Sequence, residues 1–140
     1  MAGQRRRYQT QWAAQFFAAA ELARRGYLVA LTLGNAQRAD LLVESQTGQK
    51  FSVDVKGLAT HNWWLVTERD DHPDYYILVY VPEPGNPPEY FLLSGAEMAT
   101  EMDLVRQSAL AKGQVWTGRG SGINWGAGMK YRDRWDVLPG

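Results

Sequence analysis

The pattern of apolar and polar positions divides the chain into one long helix, a run of short strands and a second helix. Residues 8–25 read as the first helix. Trp12 to Ala23 is Ala-rich and free of Gly and Pro, and Arg24 and Arg25 precede Gly26. Cations suit the negative end of a helix, and glycine is common just past it. Apolar residues occupy most faces, so much of this helix is expected to be buried. Strand character follows at Tyr27–Leu33, Asp40–Glu44 and Lys50–Lys56, then at Trp63–Thr67, Tyr75–Val81 and Tyr90–Leu93. Pro82 to Pro88 is a turn-rich break. Ser94-Gly95-Ala96-Glu97 has the spacing of a capping box and opens a helix that runs to Lys112. The glycine-rich tail after Gly113 is expected to loop over the domain, with Trp116, Trp125 and Trp135 tucking in. No internal repeat or interdomain linker interrupts residues 1–140, so a single domain is expected.

The segment from Asp40 to Lys56 carries the most chemistry. Ser45 to Gln49 is a five-residue loop containing Gly48, suited to a hairpin. Pairing Glu44 with Lys50 sets Val43 against Phe51 and Leu41 against Val53, so the apolar faces agree and fix the register. Continued one step, that register sets Asp40 directly opposite Asp54, with Lys56 two residues along on the same face. Opposed carboxylates repel unless a positive group joins them. A divalent cation is one solution, and Lys56 is another. Two acids and a lysine at a strand end suit phosphodiester cleavage, in which a cation polarises the phosphate and acidifies a bound water. The same three residues also make an ordinary cross-strand salt-bridge cluster.

Charge sharpens this picture. The formal net charge of the 140 residues is zero, with 15 basic and 15 acidic side chains. A zero total argues against binding nucleic acid or an anionic membrane through bulk charge. The distribution is uneven, however. Residues 1–38 hold six bases and one acid, residues 39–103 three bases and twelve acids, and residues 104–140 six bases and two acids. The acidic block contains Asp40 and Asp54, where a cation would sit, and the basic blocks are the places for phosphate contacts. Hydrophobic residues are 45% of the chain, so it is expected to fold rather than remain disordered. There is no cysteine, which removes disulfides, thiolate metal sites and cysteine nucleophiles. No signal-peptide or membrane-span pattern is found, and a cytoplasmic protein is the default expectation.

Asp40, followed by Asp54-Val55-Lys56, resembles the motif of the PD-(D/E)xK nuclease superfamily, which has the restriction-endonuclease-like fold. The resemblance extends to Glu21-Leu22-Ala23-Arg24-Arg25-Gly26-Tyr27, Gly34-Asn35-Ala36, Lys56-Gly57-Leu58, Asp74-Tyr75-Tyr76 and the segment from Tyr131 to Asp136. It implies an α/β fold with an αβββαβ core, a central mixed sheet flanked by helices. It also implies Mg²⁺- or Mn²⁺-dependent cleavage of nucleic acid, with DNA as the expected partner. Asp40 and Asp54 match the metal-binding positions and Lys56 the catalytic lysine. Residue 39 is Ala where the named motif has Pro. Many members place a Glu on the first helix near the metal. That position falls here on Gln15, preceded by Ala14, and Glu21 is the remaining carboxylate on the helix. Gln15 and Glu21 are therefore the candidates for assistance from the helix. The alternative is a catalytically weakened module of the same fold that binds DNA or a protein partner. A structural homo-oligomer with exposed tryptophans is a third reading.

Arg24, Arg25, Arg119 and Lys130 are the candidate nucleic-acid contacts, although Arg24 and Arg25 equally suit a helix end. Arg5-Arg6-Arg7 reads as a solvated tail and Gly118-Arg119-Gly120-Ser121-Gly122 as a loop. His61 and His72 lack the spacing of a shared metal site. Trp63 and Trp64 should face opposite ways on their strand. A homodimer is expected on size, because one small domain offers little surface for gripping a duplex.

Overall fold

The computed structural model describes residues 2–35, 39–117 and 122–140. Helix α1 spans Ala2–Arg24. It starts well before residue 8 because the stretch has no proline and its arginines are good helix formers. Its end is fixed by the chain itself. Tyr27 N–H donates to the Leu22 carbonyl at 3.1 Å and Gly26 N–H to that of Ala23 at 3.0 Å, with Gly26 at φ 94°. That is the Schellman arrangement, which needs a left-handed residue at the position Gly26 occupies.

Strands β1 (Leu28–Leu31), β2 (Leu41–Glu44), β3 (Lys50–Leu58), β4 (Trp63–Leu65), β5 (Tyr75–Tyr80) and β6 (Glu89–Ser94) follow. Helix α2 (Gly95–Ala111), strand β7 (Gly122–Asn124), a short α3 (Trp125–Gly128) and two 3₁₀ turns complete the described chain. Five strands form one mixed sheet in the order β1-β2-β3-β5-β6, with β3 and β5 parallel and the other pairs antiparallel. β4 and β7 form a separate antiparallel pair. The protein is thus α/β, with a five-stranded mixed sheet and three helices. The αβββαβ order is not followed step for step. The crossover from β3 to the parallel β5 is made by β4 and irregular chain, and α2 comes only after β6. Asp74 helps to set the parallel register, since its Oδ2 accepts the Ser52 N–H at 2.9 Å.

The β2–β3 hairpin has the register that alternation requires: Glu44 with Lys50, Leu42 with Ser52, Val43 with Phe51 and Leu41 with Val53. α2 begins at the expected capping box, in which Ser94 Oγ accepts from Glu97 N–H and the Glu97 carboxylate accepts from Ser94 N–H.

Two cores lie on opposite faces of the sheet. Ala14, Ala18 and Leu22 of α1 pack on Val53, Val55, Ile77 and Leu92. On the other face Trp64, Tyr76, Leu78 and Phe91 pack with Met98 and Met102 of α2 and with Ile123. Trp64 is fully buried while Trp63 is 40% exposed, as strand alternation demands. Trp125 stacks on Trp64 and on His61, so this tail tryptophan does tuck in. No helix among the described residues is long and apolar enough to cross a membrane.

Candidate active site

The place where β2 and β3 part is built by α1, a bulge and a glycine. A Cβ on Gly57 would lie 2.9 Å from both Ala14 Cβ and the Thr10 carbonyl oxygen. Glycine there lets α1 lie directly on β3. The contact brings Gln11 onto the free edge of β3, beyond the start of β2. Gln11 Nε2 donates to the Val55 carbonyl at 2.7 Å, and Gln11 Oε1 accepts the Gly57 N–H at 3.0 Å. One side-chain amide therefore supplies the rung that a neighbouring strand would otherwise make.

Asp40 does not continue the hairpin ladder opposite Asp54. Asp40 N–H donates to the Val53 carbonyl at 2.9 Å, although Val53 is already the register partner of Leu41. Two residues of one strand facing a single partner make a β-bulge, which bends the chain and re-aims a side chain. The redirected Asp40 carboxylate reaches the strand edge, where Oδ2 accepts the Val55 N–H at 2.8 Å.

It nevertheless meets Asp54. Burial first, and then the adjoining Asp54 carboxyl, push the Asp40 carboxyl up to about 7, against the Val55 N–H and the Lys56 charge, which favour ionisation. Asp54 itself is buried, and its Oδ2 lies 3.1 Å from Lys56 Nζ. Asp40, Asp54 and Lys56 are thus brought together as expected, but by a bulge rather than by direct opposition. Tyr76, the β5 partner of Asp54, is buried beside it. Burial and then the Asp54 charge raise its phenol to about 12, so it stays protonated at neutral pH.

The donor set suits a hard divalent cation. Both candidate donors are carboxyl groups, with Val55 N–H on Oδ2 of Asp40 and Lys56 Nζ on Oδ2 of Asp54. A raised carboxyl beside another carboxyl is what a cation relieves. No third carboxylate, histidine or cysteine joins the pair among the described residues. Water or substrate would therefore complete the coordination.

Gln15 lies one turn beyond Gln11 on the same side of α1, the face directed at this edge. It is only 8% exposed and makes no hydrogen bond among the described residues. Glu21 is not part of the group. It pairs with Arg24 at 3.1 Å and Arg25 at 3.0 Å, on the flank of α1 that faces Tyr90 and Trp135.

The expected nucleic-acid contacts are dispersed. Arg24 and Arg25 are held by Glu21, and Arg25 also lies 4.2 Å over the Trp135 ring. Lys130 pairs at 2.9 Å with the buried Glu101 of α2. Arg119 and its glycine-rich neighbours at 118–121 lie outside the described residues. His61 stacks on Trp125, and His72 contacts the Pro73 carbonyl. Neither histidine touches the acid pair.

Gln11 and Tyr76 are the site residues that sequence reasoning passed over. The available signal for Gln11 was a pair of amides, Gln11 and Gln15, four apart on a helix whose adjoining face is Ala14, Ala18 and Leu22. Comparison of the chain with protein-family models, with curated proteins and with solved structures returns no match.

Proposed function

We propose that this protein is a Mg²⁺- or Mn²⁺-dependent nuclease that hydrolyses phosphodiester bonds, most simply in DNA. We further propose that α1, β1, β2, β3 and the parallel β5 form a restriction-endonuclease-like core in which β4 takes the place of a crossover helix. The carrying observation is the meeting of Asp40, Asp54 and Lys56 where β2 and β3 part, with the Asp40 carboxyl raised by burial and then by its neighbour. Asp40 and Asp54 would hold the cation. Bound there, it would polarise the phosphate and make a bound water acidic near neutral pH. Lys56 would orient that water by donating a hydrogen bond to its oxygen, and would offset charge on the phosphoryl oxygens. Tyr76, kept protonated, is the register partner of Asp54 on the adjacent strand. A cytoplasmic location belongs to the same proposal.

A specific observation favours a second reading. The helix position that the resemblance assigns to an assisting carboxylate is Gln15, a buried amide, and the Val55 carbonyl is occupied by Gln11. On that reading the module binds DNA or a protein partner and cleaves weakly or not at all.

The test is cleavage of supercoiled plasmid and of labelled oligonucleotides with Mg²⁺ or Mn²⁺, comparing wild type with Asp54→Ala and Lys56→Ala. Cleavage lost in both variants supports the nuclease. Equal cleavage by all three proteins overturns it. Mn²⁺ and DNA binding without cleavage favours the second reading.

A further inference from the structure

The two edges of the five-stranded sheet are finished differently. At the β6 edge the chain covers itself: Phe91 bridges to Arg132, and Asp133 N–H donates to the Tyr90 carbonyl at 2.9 Å. At the β1 edge nothing among the described residues pairs with the strand. β1 is Leu28-Val29-Ala30-Leu31, with no charge, proline or bulge to deter another strand. Its neighbouring surface is also apolar. Leu28 is 68% and Leu42 50% exposed on the sheet face opposite α1, along a groove of about 560 Å³ that Ala30 also lines.

The hydrogen-bond parity of β1 fixes the register in which a second copy fits it. Thr32 N–H donates to the Asp40 carbonyl at 3.0 Å, so even-numbered residues of this stretch turn their backbone groups toward β2. The N–H and C=O groups of Val29 and Leu31 therefore point outward. Two such strands, antiparallel and centred on Ala30, set Val29 of one against Leu31 of the other. All four outward residues then exchange hydrogen bonds, and the two Ala30 residues form the narrow, non-hydrogen-bonded pair on the axis. The segment is thus complementary to itself.

We infer that β1 is the interface of a two-fold homodimer in which β1 pairs antiparallel with β1 of a second copy. The sheet becomes ten-stranded, and Leu28 and Leu42 of both chains fall on one continuous face. The alternation of β3 places Asp54 and Lys56 on that same face. The two β3 strands lie five strand spacings apart, about 24 Å. The interface does not depend on the nuclease reading.

The absence of native cysteine makes the test direct. Opposed residues of a non-hydrogen-bonded pair have Cα atoms about 4.5 Å apart, within disulfide range. Ala30→Cys is therefore expected to cross-link to a covalent dimer under mild oxidation. Leu28→Cys is the control: in this register its two copies are about 14 Å apart along the strands, and it should cross-link poorly. Light scattering should give twice the 15.8 kDa of one chain for wild type as concentration rises from micromolar to millimolar. Ala30→Lys should give the monomer mass with the fold retained by circular dichroism, because Ala30 is exposed. A monomer throughout the range, cross-linking at Leu28→Cys equal to that at Ala30→Cys, or a dimer that survives Ala30→Lys would each overturn the inference.

Discussion

The Asp40 carboxylate accepts the Val55 N–H at 2.8 Å, and this bond ties the open end of the β2–β3 hairpin to the strand that carries Asp54 and Lys56. Asp40 is thereby fixed beside a second acid in a half-buried place that disfavours its charge. The arrangement holds two carboxyl groups against each other, at a cost to the fold when both are ionised.

That cost depends on pH. The Asp40 carboxyl is raised in the folded protein from 3.8 to about 7, so the folded state binds a proton that the unfolded state has released. Its contribution is fully present below about pH 4, fades as pH rises toward 7 and is gone above that. In EDTA, the urea midpoint of wild type should therefore fall between pH 4.5 and pH 8 relative to Asp40→Asn, which cannot ionise. Parallel pH profiles for the two proteins would show that Asp40 is not held in this state.

Gln11 should matter to stability more than its place on a helix surface suggests. Gln11→Ala leaves the Val55 carbonyl and the Gly57 N–H without their partner in a part-buried place. The expected loss is about 1–3 kcal/mol in urea unfolding. A loss within experimental error would mean that water replaces the amide at no cost.

Gly57→Ala should also destabilise, by about 1–3 kcal/mol, because the added methyl meets Ala14 and the α1 backbone rather than a flexible side-chain end. Unchanged unfolding in Gly57→Ala would refute the close approach of α1 to β3.

Gln15→Glu should act in opposite directions on stability and on metal affinity. A carboxylate in the buried place of Gln15 costs stability in EDTA at pH 8. The same charge should tighten Mn²⁺ binding and raise any cleavage rate. A variant that loses stability without gaining affinity would remove Gln15 from the site.

Much of this was legible in the chain. The hairpin register followed from the alternation of Leu41, Val43, Phe51, Val53 and Val55 across a five-residue loop, because a slip of one residue would expose every apolar side chain. The capping box at Ser94 and the stop at Gly26 are local signals and fall where they were read. The bulge at Asp40 was not legible. It depends on how α1 seats against Gly57 and on which strand edge is left open, and both are tertiary facts. Gln11 looks like one more polar residue on a helix until its face is known. The parallel pairing of β3 with β5 and the two different sheet edges are likewise set by the crossover, which no local pattern states. Glu21 was attractive because it is the only acid on α1, yet Arg24 and Arg25 lie at the helical spacings that claim it.

The central claim is that Asp40 and Asp54 together hold one divalent cation. Calorimetric titration of Mn²⁺ into wild type and Asp54→Asn tests it most directly. One site per chain in wild type, lost in Asp54→Asn while the fold is retained by circular dichroism, is the result expected. No binding to wild type, or equal binding to the variant, would contradict it.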